Sequence, residues 1–133
     1  MKKLKYLVLL LPIFLTGCFG LNGSGVLTNE CVMETTTPWL TEVDKYVITY
    51  KEGKISNVEI INSYNGIDMS TAMDTYKKTY ENEKGVTISI DNNTITSKID
   101  MNKVSDNIKS AFNLKNNYND QVKTLTEDGY TCN

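Results

Sequence analysis

The chain of 133 residues has no histidine and no arginine, a single tryptophan, two prolines and three cysteines. Without histidine, no Cys–His nucleophile can be assembled, and two cysteines alone make a poor metal site. Without arginine, bidentate recognition of phosphate is lost, and the 14 lysines are outnumbered by 16 acidic residues. Nucleic acid, which calls for a basic face, is excluded as a partner. Neither a Gly-x-Ser-x-Gly elbow nor a phosphate-cradling glycine loop nor a metal-ligand spacing occurs, and no cofactor is implied. Long apolar runs are missing too. Residues 6–15 form an apolar stretch interrupted at Pro12, about half of the ~20 residues that span a bilayer core.

What is present at the start of the chain is a leader pattern. Lys2, Lys3 and Lys5 precede the apolar stretch, and no acidic residue occurs before Glu30. A positive flank followed by a short apolar run is the layout of a secretory signal, with the lysines held on the cytoplasmic side. Leu15-Thr16-Gly17-Cys18 closes the run and resembles the lipobox of bacterial lipoproteins. That resemblance implies a diacylglyceryl thioether on Cys18 and cleavage before it. Two acyl chains anchor stably where one holds marginally. The alternative, an uncleaved anchor, fits poorly with so short and broken a run. The expected organisation is a signal peptide over residues 1–17, a lipidated Gly/Asn/Ser-rich tether over 18–29 and one domain over 30–133.

Loss of the leader removes three lysines and no acid, moving the net charge from −2 to −5. Such a domain is repelled by anionic head groups and stands off on its tether. With Cys18 committed to lipid, Cys31 and Cys132 remain. The exported compartment allows them to pair; the alternative is two buried free thiols.

Hydrophobic periodicity yields the elements. A short β-favouring stretch follows Cys31. Val43, Tyr46, Val47, Ile48 and Tyr50 form one strand and Ile55, Val58, Ile60 and Ile61 another, joined by a turn at Glu52-Gly53. Met69, Ala72, Met73, Tyr76 and Tyr80 trace one helical face, capped by Asp68 or Ser70 and terminated by Gly85. Val86, Ile88 and Ile90 alternate with polar residues, turn at Asp91-Asn92-Asn93, and return through Ile95, Ile99 and Met101. Val104, Ile108, Ala111 and Phe112 give a helix over 103–114. Asn119 or Asp120 caps a last helix carrying Val122 and Leu125. The fold class is therefore α+β: a twisted antiparallel β-sheet of about five strands, with two to three helices packed on one face. If Cys132 meets Cys31, the C-terminal tail lies beside the first strand.

The chain resembles the YehR-like family of small bacterial lipoproteins. The resemblance rests on the lipobox, on residues 46–55 (YVITYKEGKI), on the helix ending near Tyr80, on Lys84-Gly85-Val86 and on the stretch from Leu125 to Tyr130. It extends over roughly two thirds of the chain. It implies a lipoprotein domain of this fold and assigns no activity.

Candidate chemistry is sparse. Among Asp44, Glu52, Glu59, Asp68, Asp74, Asp91, Asp100 and Asp106, no spacing selects a general acid–base pair, and solvated surface acids are the simpler reading. Asp91-Asn92-Asn93-Thr94 lacks the spacing of a calcium loop and reads as a hairpin turn. Trp39 is either a plug at the core edge or an exposed binding platform flanked by Tyr46 and Tyr50. The expected function is a lipid-anchored, extracytoplasmic, non-enzymatic module that binds an envelope protein or a cell-wall component. The competing expectation is a cell-wall-acting enzyme or accessory using surface carboxylates.

Overall fold

The structure, a computed structural model, describes residues 25–133. The signal peptide, the lipobox residues Leu15, Thr16 and Gly17, the lipidation site Cys18 and most of the expected tether lie outside the described residues.

Three long strands open the domain: β1 (Val26–Thr36), β2 (Thr41–Lys51) and β3 (Lys54–Asn65). Helix α1 (Ser70–Tyr80) leads to the hairpin β4 (Val86–Asp91) and β5 (Thr94–Asp100). Two short helices follow, α2 (Asp106–Ala111) and α3 (Tyr118–Glu127), before β6 (Thr131–Cys132). All strand pairs are antiparallel, in the order β4-β5-β3-β2-β1-β6. The domain is α+β.

Local chemistry explains the turns. Glu52 and Gly53 both adopt positive φ, 52° and 77°, the geometry of a two-residue turn whose twist matches its strands. A register shift at Thr49/Tyr50 changes which side of β3 faces inward. It places Ile55 on the same face as Val58 and Ile60, where strict alternation would turn it out.

One face of the sheet carries Tyr46, Ile48 and Tyr50 from β2, Val58 and Ile60 from β3, and Ile95, Ser97 and Ile99 from β5. The register places these side by side. All three helices cover this face. Tyr76 and Tyr80 of α1 pack against Phe112, which ends α2, and Tyr118 of α3 stacks on Tyr50 at 3.8 Å. Met73, Ile108 and Leu125 are the buried apolar residues the helices contribute. The opposite face holds Val43, Val47 and Ile61, half-buried among Thr, Lys and Glu side chains.

The structure corrects several boundaries. β1 begins at Val26, so the last four residues read as tether are strand, paired with Thr49, Tyr50, Lys51 and Ile48 across β2. A sixth strand, β6, adds two residues to the edge. Cys31 and Cys132 are joined in a disulfide and sit directly opposite one another in the β1–β6 pair. The helix expected over 103–114 is confined to Asp106–Ala111, capped by the Ser105 hydroxyl, which accepts the Ile108 N–H. The last helix is capped by Asn117 rather than Asn119 or Asp120. Ala72 and Ala111 are exposed, because small side chains at the margin of a stripe do not reach the sheet. Helix α1 ends at Tyr80, a turn before Gly85.

Candidate functional site

The long strands give the domain two ends. Gly25, where the described chain begins, lies beside the β2–β3 turn, since Val26 pairs with Lys51. The β1–β2 loop (residues 37–40) lies at the other end, roughly 35 Å away along an eleven-residue strand. These are called the near and far ends.

At the far end, period-two alternation puts Glu42, Asp44 and Tyr46 on the helix-covered face of β2. Glu42 stands opposite Tyr64 and Asp44 opposite Asn62 on β3. The Asn62 side-chain N–H donates to Asp44 Oδ1. The Tyr64 hydroxyl is within bonding reach of Glu42, and Glu42 within reach of Asp44. Two carboxylates therefore converge where the helices stop covering the sheet. Partial burial, and next the Asp44 charge, raise Glu42 above its ordinary value. Burial, then Glu42 and Asp44, push the Tyr64 phenol up to about 12. Burial pushes Tyr46 up to about 12 as well, with Asp44, Tyr76 and Asp128 adding to it. Tyr130, edge-on to Tyr46 at 5.3 Å, is raised for the same reason, burial first. The phenols stay protonated, so this end offers carboxylate acceptors framed by hydroxyl groups.

Beside the pair lies a cavity of about 220 Å³ between α1 and the sheet, lined by Asn62, Tyr64, Met69, Met73, Tyr76 and Ile95. Its wall is fixed by Tyr76, whose hydroxyl bonds Ser97 Oγ at 2.9 Å beneath it; Ser97 is fully buried. Three wider hollows, about 540, 600 and 560 Å³, are open surface grooves toward the near end, lined by lysines, asparagines and a few carboxylates.

Trp39 is 76% exposed at the tip of the far end. It is not a core plug. Nor do Tyr46 and Tyr50 flank it: Tyr46 packs on Tyr130 and Tyr50 on Tyr118, deeper along the sheet. The loop that carries it is closed by the Thr37 N–H donating to the Leu40 carbonyl at 2.8 Å and by the Leu40 N–H donating to Thr37 Oγ1 at 3.1 Å. Gly66, at φ 125°, presses against this loop; a Cβ there would stand 2.1 Å from the Trp39 carbonyl oxygen. Ile67, 45% exposed, follows it.

Charge is unevenly distributed. Residues 34–44, 62–70 and 91–95 at the far end contain Glu34, Glu42, Asp44, Asp68 and Asp91 and no lysine. Residues 49–57, 98–103 and 115–118 toward the near end contain Lys51, Lys54, Lys98, Lys103 and Lys115 against Glu52 and Asp100.

Of the residues singled out in the sequence, the structure joins Cys31 to Cys132, exposes Trp39, and brings Asp44 to a site. Asp91-Asn92-Asn93-Thr94 spans the β4–β5 turn. Among the described residues, no group of three or more His, Cys, Asp or Glu side chains could hold a metal ion, and no helix is long and apolar enough to cross a membrane. Glu42, Tyr64 and Asn62 were not singled out. The signal that finds the first is the spacing of Glu42, Asp44 and Tyr46, every second residue on one strand. No protein family, curated protein or solved structure matches the chain.

Proposed function

We propose that this chain is a lipid-anchored extracytoplasmic binding protein, held at the outer face of the cell membrane through Cys18 and engaging an envelope protein or cell-wall component with the far end of its domain. The leader, the lipobox and the resemblance to YehR-like lipoproteins support the anchoring. The observation that carries the binding role is the uncovered far end of the helix-packed face. There an apolar cavity, two converging carboxylates and the Tyr64 hydroxyl lie at the same end of the sheet as an exposed tryptophan. Concave apolar surface rimmed by a few placed polar groups is the usual make-up of a binding site.

The convergence of Glu42 and Asp44 favours a second reading, a wall-acting enzyme. Glycoside cleavage needs two carboxyl groups held around a scissile bond, whereas Glu42 and Asp44 are neighbours on one face of a single strand, with Asp44 already bonded to the Asn62 side chain. Binding is the reading adopted.

Growth with a tagged palmitate analogue tests the anchoring. Label should follow the protein into the membrane fraction and vanish in Cys18→Ala. Label retained by that variant, or a wild-type protein recovered free of membrane, would overturn the proposal. Release of fragments from purified wall polymer by the wild type, and not by Glu42→Gln, would instead establish the enzymatic reading.

A further inference from the structure

The far end contains an aromatic side chain that folding leaves in water. Trp39 and Ile67 are both exposed, on two loops that touch at Gly66. An exposed Trp on a hydrogen-bonded loop loses little freedom on binding, which favours its use as an anchor. On the helix-covered face beside it stand the carboxylates Glu42 and Asp44, with Asp68 two residues beyond Gly66. A tryptophan face attracts a cation, and neighbouring carboxylates reinforce it.

The cavity narrows the class of partner. At about 220 Å³ it falls below the ~300–1,000 Å³ of pockets that enclose whole small molecules. It suits one apolar side chain presented by a larger partner. Its lining of Met69, Met73 and Ile95 under two phenols is apolar and adaptable.

We propose that the far end docks a basic segment of another protein, one in which Lys or Arg alternates with an apolar residue. The cation lies over Trp39 and against the Glu42–Asp44 pair, and the apolar side chain enters the cavity beneath Tyr64 and Tyr76. The proposal deepens the binding reading above and rests on it. The described chain enters the domain at Gly25, at the opposite end of the long strands from Trp39.

Trp39 is the only tryptophan in the sequence, so its emission reports on the site directly. The test uses the full-length protein, extracted from membranes and held in neutral detergent. It is titrated with three probes: a short Lys/Leu peptide, the matching Glu/Leu peptide, and a chitosan oligosaccharide. The proposal expects the Lys/Leu peptide alone to shift Trp39 emission to the blue, with binding weakened by added salt. By anisotropy of the labelled peptide, affinity should fall about tenfold or more in Trp39→Ala and in Glu42→Gln/Asp44→Asn. It should be unchanged in Lys51→Gln/Lys54→Gln, whose lysines sit at the near end. Equal affinity for wild type and Glu42→Gln/Asp44→Asn, both folded by circular dichroism, would overturn the proposal. A response to chitosan alone would overturn the peptide partner while keeping the far end as a binding site. No response to any probe would remove both.

Discussion

Cys31 of β1 and Cys132 of β6 are register partners in an antiparallel pair, and a disulfide joins them across 101 residues of sequence. The bond holds the C-terminal strand on the sheet edge. Tyr130 of the same segment packs edge-on to Tyr46, and Asn133 donates its N–H to the Glu30 carbonyl. Closing so long a loop restricts the unfolded chain by about 4.7 kcal/mol in the chain-entropy model. Urea unfolding of the oxidised protein and of Cys132→Ser should therefore differ by roughly 2–5 kcal/mol. Near-equal midpoints would show that the tail is held by packing alone.

Gly66 and Trp39 couple the two loops of the far end. An alanine at 66 would need positive φ and would drive its methyl into the Trp39 carbonyl. The loops must separate, at a cost on the order of 1–3 kcal/mol. Gly66→Ala should lower the urea midpoint and alter the polarisation of Trp39 emission together. A change in one without the other would mean the loops are not packed as described.

The carboxylate pair makes a pH prediction. Partial burial, then the Asp44 charge, raise Glu42 in the folded state above its ordinary 4.5. Between 4.5 and the raised value, the folded protein binds more protons than the unfolded chain, so stability falls as pH rises through that window. Below it both states are protonated and the penalty is absent. Glu42→Gln removes the titration and keeps a polar group. Its stability relative to wild type should improve from pH 4 toward neutrality and then level off. Parallel curves over that range would show that Glu42 is not under this strain.

Much of the fold is legible in the sequence because it rests on local rules. The β2–β3 turn needs two residues with positive φ, and Glu52-Gly53 supplies them. The alternation through Val86, Ile88 and Ile90 predicts the β4 face that is buried. The stripe through Met73, Tyr76 and Tyr80 is the face α1 presents to the sheet. What was not legible depends on distant partners. Val26 to Asn29 end a Gly/Asn/Ser-rich run that reads as tether, and they are strand because β2 extends beside them. Gln121 is buried because its side chain accepts the Lys115 N–H at 2.7 Å and donates to the Asn113 carbonyl at 3.1 Å, tying down the α2–α3 loop. Nothing in the spacing of these residues announces that. The candidate site is half legible: the spacing of Glu42, Asp44 and Tyr46 is in the sequence, but Tyr64 and Asn62 reach them only through the β2–β3 register. Trp39 lies in a loop packed through its carbonyl against Gly66, a contact that periodicity does not encode.

Membrane anchoring depends on the chemical identity of the mature N-terminus, and intact-mass and N-terminal peptide mass spectrometry of the protein isolated from its own membranes reads it directly. The expected product starts at Cys18 and carries the mass of a diacylglyceryl group on that residue. A chain that retains Met1, or one that starts at Cys18 with an unmodified thiol, would contradict it.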